Sequence, residues 1–336
     1  MKVAIVGCGL MGSCSARELA LRGHEVTGFE QFEFGHTLGS SHGESRIVRK
    51  AYPDGFYTEL LLDGYPLWHE IEKESEGPFL HEVGLLYLGN DRDPEITDQM
   101  EALERLGVPF ETKREGETPF AFADDDVGVF TPEAGWVHAP TVLKTVRDTA
   151  TKNGAKFVHH KVESLGELRE FDRVVVTAGA WVRDFADVPV SVRQATFAYI
   201  EGAYEGPVFI EARKGQVYGF PNEERRTSFK IGCHDLLREI DPDAPRGGPD
   251  PAALDVIRDF CARRLEMPDA KIVEPTTCLY TRTKDEDFRF GMIDERTVVA
   301  SPCSGHGFKF GPWVGRLMAD VCEGRADLGR WPRFSL

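Results

Sequence analysis

The sequence predicts an α/β (mixed α and β) fold, in which the chain leaves a doubly wound half, forms an inserted antiparallel sheet and then returns to the first half. Three observations predict it. A Gly-x-Gly-x-x-Gly motif at 7–12 lies between an apolar run and a helical run. Apolar and amphipathic segments then alternate as far as Thr177, which is typical of a parallel sheet covered by helices. From Val190 to Lys230 the pattern changes to alternating, aromatic-rich segments, which are typical of antiparallel strands.

The first 30 residues are predicted to form one βαβ unit. Lys2–Gly7 is a buried parallel strand, Leu10–Arg22 is a helix closed by Gly23, and His24–Glu30 is the second strand. In such a turn the first glycine makes the bend, the second lets the backbone approach a pyrophosphate, and the third allows close helix–strand packing. The Glu30 carboxylate is placed to accept ribose hydroxyls and repels a 2′-phosphate. The unit predicts dinucleotide binding with NADP disfavoured, and it does not by itself separate FAD from NAD.

The remaining elements follow from hydrophobic periodicity and from Gly and Pro positions. Helices are predicted at Phe56–Ser75, Glu95–Leu106, Thr141–Asn153, Ala252–Leu265 and Trp313–Glu323. Strands are predicted at Val83–Leu88, Lys156–Val162, Asp172–Thr177, Thr276–Thr283 and Arg296–Ala300. Residues 31–55, rich in Gly, Ser and His, are predicted as an irregular loop, 242–251 as a linker, and Asp124–Asp126 as solvated surface.

Charge and cysteine usage argue against several classes of partner. With a formal net charge of −16, the chain lacks the clustered cations that nucleic acid or an anionic membrane requires. Seven cysteines without a C-x-x-C pair argue against a disulfide framework and against a metal site. No apolar segment reaches the length of a membrane span, and Gly7 and Gly9 interrupt the signal-like stretch at the start. We therefore expect a cytoplasmic protein with no nucleic acid, membrane or metal partner.

Further segments complete a pattern that extends over most of the chain. They are Gly39-Ser40-Ser41-His42-Gly43-Glu44-Ser45-Arg46-Ile47-Val48-Arg49, Tyr218-Gly219-Phe220-Pro221, Lys230-Ile231-Gly232-Cys233-His234, Cys278-Leu279-Tyr280-Thr281 and Ser304-Gly305-His306-Gly307-Phe308-Lys309. With these motifs the chain resembles the monomeric sarcosine oxidase family, which has N-methyltryptophan and pipecolate oxidases as relatives, among the D-amino-acid-oxidase-like FAD-dependent oxidoreductases. The resemblance implies a discontinuous Rossmann-type FAD-binding domain (1–83, 134–189 and 270–336) and an inserted antiparallel-sheet substrate-binding domain (84–133 and 190–269).

The resemblance also implies roles for residues that share a strand face. Positions i and i+2 of a strand point to one side, so we expect Cys278 and Tyr280 to face one pocket. The same rule groups Lys230, Gly232 and His234. In the family, a cysteine at the position of Cys278 binds the flavin covalently, and a lysine at the position of Lys230 promotes the reaction of reduced flavin with oxygen. We expect His234 to assist substrate or flavin binding rather than to act as a base.

A substrate carboxylate is expected to bind Arg49 and Lys309, because the arginine fork makes two parallel charge-assisted bonds. Arg46 resembles the family arginine that lies against the flavin ring, and the 304–310 segment is expected to aim the last helix at that ring. The expected catalytic set is Lys230, Arg49, Lys309, Tyr218, Tyr280 and His234. The expected cofactor-binding residues are Gly7, Gly9, Leu10, Met11, Gly12, Glu30, Gln31, Ser41, His42, Ser45, Arg46, Val162, Ala178, Gly179, Trp181, Cys278, Gly305, Gly307, Phe308 and Lys309.

Three places depart from the family's pattern. The stretch 162–172 is short, and we expect a trimmed hairpin there. Phe209 and Ile210 lie where relatives vary with the substrate, and Cys303 stands where a bulkier residue is expected. Because the last two departures reshape the pocket, sarcosine itself does not follow from the resemblance.

The resemblance implies a monomeric FAD-dependent oxidase of a small secondary amino acid, N-methylated or cyclic, which uses oxygen and forms an imine and hydrogen peroxide. Three alternatives stay open at this point. They are a flavin enzyme acting on a larger or carrier-tethered amine, an NAD-dependent dehydrogenase, and a flavin-binding subunit without catalysis. A hydrolase is a weaker alternative: residues 39–43 match G-x-S-x-G, but a nucleophile elbow lies between a strand and a helix.

Overall fold

The computed structural model describes residues 1–213, 216–223 and 226–336. Within these residues the helices are α1 (Leu10–Leu21), α2 (Gly55–Gly64), α3 (Pro66–Glu72), α4 (Pro94–Arg105), α5 (Ala139–Lys152), α6 (Pro251–Arg264) and α7 (Gly311–Cys322). The strands are β1 (Lys2–Val6), β2 (Glu25–Glu30), β3 (Ser45–Arg49), β4 (Leu80–His81), β5 (Leu85–Asn90), β6 (Glu111–Lys113), β7 (Asp126–Thr131), β8 (Ala134–His138), β9 (Lys156–His159), β10 (Arg173–Val176), β11 (Val190–Glu201), β12 (Val208–Glu211), β13 (Val217–Gly219), β14 (Ser228–Glu239), β15 (Ile272–Thr283), β16 (Arg289–Met292) and β17 (Thr297–Ser301). None of the helices in the described ranges is long and apolar enough to cross a membrane.

A six-stranded sheet of order β16-β17-β10-β1-β2-β9 forms the nucleotide-binding half. Its neighbouring strands are parallel except for β16 and β17. Because successive residues of a strand point to opposite faces, Val3 and Ile5 pack with α1 and α7, whereas Ala4 and Val6 pack against segments between residues 162 and 190. These four side chains are buried, whereas Lys2 at the start of β1 is exposed. The predicted doubly wound half is confirmed.

An eight-stranded sheet of order β15-β11-β14-β13-β12-β5-β7-β6 forms the inserted half. The β12–β5 pair is parallel, and the other pairs are antiparallel. The predicted antiparallel sheet is therefore confirmed apart from this pair. The prediction for 190–230 includes residues 214–215 and 224–225, which lie outside the described residues. Although we assigned 270–336 to the FAD-binding part, β15 belongs to this sheet through β11, and the division into domains stays a prediction.

The prediction of an irregular loop over residues 31–55 is wrong at its centre. Ser45–Arg49 is strand β3, which pairs with β8 in a three-stranded sheet of order β3-β8-β4. Ser45 and Val48 are fully buried in it. Two β-branched residues, Ile47 and Val48, favour a strand here, but they follow a Gly- and Ser-rich stretch that is typical of a loop. The partner strand β8 begins at Ala134, 89 residues after Ser45, so no local pattern indicates the pairing.

Two predictions of local structure need correction at identifiable residues. The helix predicted over Phe56–Ser75 is two helices, α2 and α3, because Pro66 has no N–H to continue the hydrogen-bond ladder of α2. The stretch 162–172 is not a trimmed hairpin. It contains a 3₁₀ turn over Leu165–Leu168, which a capping box between Ser164 and Glu167 closes at its start.

The acidic run at 124–126 is solvated only in part. Asp124 and Asp125 are exposed, but Asp126 is buried. Its carboxylate accepts hydrogen bonds from Arg264 Nη1 and Arg213 Nη2, both at 2.5 Å. Arg264 is buried too, and its Nε donates to Glu211 at 2.6 Å. Against the opposing effect of burial, Arg264 and Arg213 hold the pKa of Asp126 below its usual range, and Arg263 and Arg264 do the same for Glu211.

Substituting Arg264→Met is expected to lower the free energy of unfolding by about 3 kcal/mol, because it leaves two buried carboxylates without their shared cation. The expected loss is near the lower end of the range for breaking buried ion pairs, because Arg263 still donates to Glu211 and Arg213 still donates to Asp126. Arg258→Met is the matched control: Arg258 lies on the same helix, and its pair with Asp255 is exposed, so the loss should stay below about 1 kcal/mol. Urea unfolding measures the free energy of unfolding of both variants. Equal losses in the two would contradict a stabilising role for the buried Arg264.

Candidate active site

A single cavity of about 840 Å³ extends from the β1–α1 turn to the facing strands β3, β14 and β15. This volume lies in the upper part of the range of small-molecule and cofactor sites. The two groups of residues predicted from the sequence, for the nucleotide and for the substrate, line the same cavity. The glycine turn lies at one end of it, and Tyr280 and Lys309 lie at the other.

At two positions of the glycine turn, Gly7 and Gly12, the backbone leaves no room for a residue with a side chain. Gly7 has φ +89°, a left-handed conformation that favours glycine. A Cβ atom on Gly12 would lie 2.0 Å from the Gly7 carbonyl oxygen, so α1 packs directly on the turn. At Gly9 an added Cβ would approach only the Ser41 hydroxyl, at 3.1 Å. The backbone at Gly9 is therefore open to a ligand at the N-terminus of α1.

Glu30 and Ser41 surround this open backbone. Glu30 Oε2 accepts the Cys8 N–H at 2.9 Å, and Oε1 accepts the Phe32 N–H at 3.2 Å. A carboxylate oxygen has a second lone pair, so Glu30 keeps capacity for hydroxyl groups in the cavity. Ser41 Oγ accepts the Leu10 N–H at 3.1 Å. Residues 37–41 are bends rather than a strand or helix, so Ser41 is not on a nucleophile elbow.

The structure places the predicted cofactor-binding residues around one cavity, with one exception. Gly12 does not line it and lies beneath the turn against β1 and Thr177. The others line the cavity: Gly7, Gly9, Leu10, Met11, Glu30, Gln31, Ser41, His42, Ser45, Arg46, Val162, Ala178, Gly179, Trp181, Cys278, Gly305, Gly307, Phe308 and Lys309. All six predicted catalytic residues also line it.

Arg46 is held in the cavity wall by backbone carbonyls. Its guanidinium donates to Ser45 O at 2.8 Å and Ser40 O at 3.0 Å, and it also bonds His42 O. It lies 5.5 Å from the centre of the Phe308 ring. Burial, and then the Arg46 charge, lower the pKa of His42 to about 4, so that imidazole is neutral at pH 7.

Strand β15 brings Cys278 and Tyr280 to the cavity, as expected, and the intervening Leu279 also lines it. The Tyr280 hydroxyl lies 3.5 Å from that of Tyr218. A Cβ atom on Gly232 would lie 2.3 Å from the Tyr218 ring, so this glycine makes room for a tyrosine. Burial raises the pKa of the Cys278 thiol, whereas the charges of Arg46 and Lys230 oppose that shift.

Lys230 is buried at the cavity wall, and its ammonium group joins two sheets. Nζ donates to the Ser45 carbonyl at 3.0 Å and lies 3.3 Å from the Ser45 hydroxyl. The Phe197 and Phe220 ring centres lie 4.7 and 4.8 Å from Nζ. Burial, and then the charge of Arg46, lower the pKa of Lys230 from 10.5 to about 7. This ammonium therefore titrates near neutral pH.

Arg49 is a buried guanidinium with unused hydrogen-bond donors. It is 8% exposed, and its Nε and Nη1 have no hydrogen-bond partner among the described residues. The guanidinium lies between two aromatic rings, 4.4 Å from the centre of Tyr52 and 5.6 Å from that of Tyr87. Because leaving such donors unpaired costs free energy, the arrangement fits an anionic ligand in the cavity.

Lys309 contacts Tyr52, the same tyrosine that Arg49 contacts. Its Nζ donates to the Tyr52 hydroxyl at 3.0 Å and to the His306 carbonyl at 2.7 Å. Burial and the Arg49 charge lower its pKa well below 10.5. Gly305–Lys309 line the cavity, but the first turn of α7 does not, and the expectation that this helix is aimed at the flavin ring stays a prediction. A 3₁₀ turn over Phe308–Phe310 intervenes.

His234 faces the same end of the cavity as an uncharged ring. Its ring centre lies 5.3 Å from that of Tyr280. Burial, and then the charges of Arg282 and Lys309, lower its pKa to about 3, so at neutral pH it binds protons too weakly to be charged. This agrees with the expected binding role, which stays a prediction.

Sequence reasoning missed the aromatic residues that hold Arg49. Tyr52 was inside the presumed loop, and Tyr87 was in a strand with no motif. The only sequence signal for Tyr52 is its position three residues after Arg49. Of the two residues named for substrate variation, Ile210 lines the cavity, whereas Phe209 points to the other face and stacks on Phe260. Cys303 lines the cavity, and its Sγ accepts the Thr281 N–H at 3.2 Å.

The family model for DAO, the FAD-dependent oxidoreductases, matches residues 2–321. The chain belongs to this family. It is therefore an FAD-dependent oxidoreductase, and the NAD-dependent dehydrogenase alternative is wrong. FAD is also a fit for this cavity on structural grounds: the open backbone at Gly9, the spare lone pairs of Glu30 and a cavity lined by Arg46 and Cys278 suit its phosphates, ribose and ring.

Curated relatives are similar along nearly the whole chain. Monomeric sarcosine oxidase of Bacillus sp. (strain B-0618) is 27% identical in an alignment 356 residues long, gaps included, which covers 95% of this chain and 91% of the relative. N-methyl-L-tryptophan oxidase of Yersinia pestis (strain Pestoides F) is 27% identical over 346 residues, covering 94% and 93%. Peroxisomal sarcosine oxidase of Homo sapiens is 26% identical, covering 94% and 90%.

Solved structures share the fold. NikD, described as an unusual amino acid oxidase essential for nikkomycin biosynthesis, superposes with a TM-score of 0.83 at 23% identity and covers 98% of this chain and 96% of its own. L-proline dehydrogenase from P. horikoshii superposes with a TM-score of 0.84 at 21% identity, covering 100% and 98%. At these identities the likeness shows the architecture of the family rather than the substrate.

Proposed function

We propose that the protein is an FAD-dependent oxidase of a small secondary amino acid, either N-methylated or cyclic, which forms an imine and hydrogen peroxide. The observation that carries the proposal is the buried Arg49 in the cavity wall, whose Nε and Nη1 have no hydrogen-bond partner among the described residues. An α-amino acid supplies the carboxylate that these donors need. The relatives named for sarcosine and N-methyltryptophan oxidation support the N-methyl class.

Arg49 and Lys309 bind the substrate carboxylate in this proposal. The planar guanidinium of Arg49 can donate two parallel hydrogen bonds to a carboxylate, and Lys309 adds a point charge at the Tyr52 hydroxyl. Tyr218, Tyr280 and Ile210 form the wall around the rest of the substrate. This wall is mostly aromatic and aliphatic, which suits a substrate whose carboxylate is its main charged group.

Both carboxylates and cations line the cavity, and the cations at its proposed substrate end favour a substrate amine without its proton. Arg46, Arg49, Lys230 and Lys309 all line it. Nearby like charges disfavour an ammonium form, so the pKa of a bound substrate ammonium is lowered. The neutral amine has the lone pair that helps a hydride equivalent to leave the neighbouring carbon. No separate protein base is needed for this step, which agrees with the neutral state of His234.

FAD, when bound, supplies the two-electron acceptor that takes the hydride equivalent and passes the electrons to oxygen. Lys230 provides a buried positive charge at the cavity wall. In a water-poor site such a charge stabilises the negative charge that develops on oxygen as it is reduced. We therefore assign Lys230 to the oxygen step and the Arg49–Lys309 pair to substrate binding.

We further propose that Cys278 binds the flavin covalently through Sγ. The thiol lines the cavity, and although burial raises its pKa, the charges of Arg46 and Lys230 oppose that rise. Substituting Cys278→Ser is expected to leave a protein that releases its flavin on denaturation. Flavin fluorescence of the band on a denaturing gel measures this. Cys303→Ser is the matched control, because Cys303 also lines the cavity, and it should keep the fluorescent band. A fluorescent Cys278→Ser band would contradict the assignment.

We propose that the enzyme acts in the cytoplasm as a monomer, without nucleic acid or membrane partners. The formal net charge of −16 supports the absence of anionic partners. One of the relatives is named a monomeric oxidase, which supports the oligomeric state. Size-exclusion chromatography with light scattering tests it.

An anaerobic titration of the purified yellow protein tests the main proposal. Sarcosine, N-methyltryptophan, proline and pipecolate are added in turn while the flavin absorbance is followed. Bleaching by one of them, with recovery of colour and release of peroxide on admission of air, is the expected result. Bleaching by none of them would overturn the substrate assignment in favour of a larger or carrier-tethered amine.

A further inference from the structure

Three side chains next to the proposed carboxylate site form one hydrogen-bonded row. Lys309 Nζ lies 3.0 Å from the Tyr52 hydroxyl, and that hydroxyl lies 2.9 Å from His306 Nδ1. His306 Nε2 lies 3.1 Å from the backbone oxygen of Glu286. Tyr52 and Lys309 are buried, and the His306 ring stacks on Phe288 with ring centres 4.9 Å apart.

The direction of every bond in the row follows from its last member. A backbone carbonyl only accepts, so His306 Nε2 carries the proton that it donates to Glu286 O. In the neutral ring Nδ1 is then an acceptor, which takes the Tyr52 O–H. The Tyr52 oxygen is left as an acceptor for Lys309, and the row has one consistent order of donors and acceptors.

This order suits an ammonium group at Lys309. Two of its three N–H donors are used, one by Tyr52 O and one by the His306 carbonyl. The third is free to bind an anion, since Lys309 lines the cavity. Without these two acceptors the charged form would be less stable still, because burial and Arg49 already favour the neutral amine.

We propose that Tyr52 and His306 are positioning residues, which hold the Lys309 ammonium charged and aimed at the substrate carboxylate. The proposal rests on the proposed function, because it needs a carboxylate at Arg49 and Lys309. Tyr52 acts on both cations, through its hydroxyl on Lys309 and through its ring on Arg49, 4.4 Å away. His306 acts through Tyr52 and does not contact the substrate.

The charged and titratable groups around the row come from several elements. Arg49 on β3 faces Lys309, and His234 on β14 and Arg282 on β15 act on His306 together with Lys309. Tyr57 on α2 lies against both rings of the row, but its hydroxyl donates to Asp287 at 2.8 Å. Tyr57 is thus a buried tyrosine of the same cluster that does not bond Lys309.

Calorimetric titration of the FAD-loaded protein with acetate, and with acetamide as the neutral control, tests the proposal. The variants are Tyr52→Phe, Lys309→Met, the double variant and Tyr57→Phe. Tyr52→Phe keeps the ring over Arg49 and removes only the hydroxyl. It is expected to weaken acetate binding about 10-fold, the value of a hydrogen bond to a charged group. In the Lys309→Met background the same change should have no further effect, and Tyr57→Phe should bind acetate as the wild type does.

The pH dependence of acetate binding is a second readout, which a purely structural defect would not move. Removing the Tyr52 acceptor disfavours the ammonium form, so the pKa of Lys309 falls and acetate binding is lost at a lower pH. The alkaline limb should move down by about one pH unit, which corresponds to the same 10-fold change. His306→Leu should move it in the same direction, and His306→Asn, whose side-chain oxygen can accept from Tyr52, should restore part of the shift.

The outcomes separate this inference from the proposed function. If the wild type does not bind acetate, or if Lys309→Met binds it equally well, the carboxylate site itself is wrong. If Lys309→Met weakens binding but Tyr52→Phe does not, only the row is wrong. Equal losses from Tyr52→Phe and Tyr57→Phe, or a full additional loss in the double variant, would also overturn the positioning role.

Discussion

Substituting Lys230→Met is expected to slow the reaction of the reduced enzyme with oxygen by roughly 100- to 1,000-fold, the usual effect of removing one preorganised electrostatic group. Anaerobic reduction by substrate should stay close to the wild-type rate, because Arg49 and Lys309 remain. Stopped-flow spectroscopy measures the two half-reactions separately. The side chain is buried between Phe197 and Phe220, so methionine fits its apolar surroundings.

The same assignment predicts a pH dependence of the oxygen half-reaction. Burial lowers the pKa of Lys230 to about 7. The ammonium is the active form, so the rate should be highest below that value and fall as the pH rises through it. Lys271→Met is the control, since Lys271 is an exposed lysine paired with Glu201, and it should change neither the rate nor the profile. If Lys230→Met instead slowed reduction by the substrate and left reoxidation normal, Lys230 would have to be assigned to substrate binding.

Substituting Arg49→Met is expected to lower kcat/KM by roughly 100- to 1,000-fold, because a buried charged partner of the substrate carboxylate is lost. Arg49→Lys should recover only part of this, since an ammonium cannot form the two parallel bonds of a guanidinium. Steady-state kinetics with the amino acid found in the titration measure the loss.

The carboxamide analogue of that amino acid makes the test specific. It lacks the charge that Arg49 binds, so the wild-type preference for the acid over the amide should fall sharply in Arg49→Met, and Lys309 should maintain only the remainder. Arg316→Met is the control, because Arg316 pairs with Glu70 at the surface, and it should keep the full preference. An unchanged preference in Arg49→Met would show that the carboxylate binds elsewhere.

Much of the nucleotide-binding half could be predicted because its signals are local. The glycine turn, the helix that follows it and Gly23 with its positive φ are encoded within consecutive residues. The pairing of Cys278 with Tyr280 on one face likewise follows from the period of a single strand. Such features need no knowledge of the distant chain.

The features that sequence reasoning missed depend on distant segments. Asp126 reads as surface until Arg264, 138 residues away, is brought against it. The role of Tyr52 depends on Lys309, 257 residues away, and that of Tyr87 on the approach of β5 to β3. No local pattern distinguishes these tyrosines from ordinary core aromatic residues. What sets them apart is their contact with cations, which only tertiary packing brings beside them.

The strand order of the six-stranded sheet has a consequence for the synthesis of the chain. Val3 on β1 pairs with Arg173 on β10, and the other edge of β10 pairs with β17 near residue 298. At roughly 5–20 residues per second, the ribosome adds the intervening 170 residues in about 10–30 seconds. During that time an apolar amino-terminal strand has an unpaired edge, which is a template for aggregation. Chains that stop before β10 should therefore depend on chaperones far more than the full chain does.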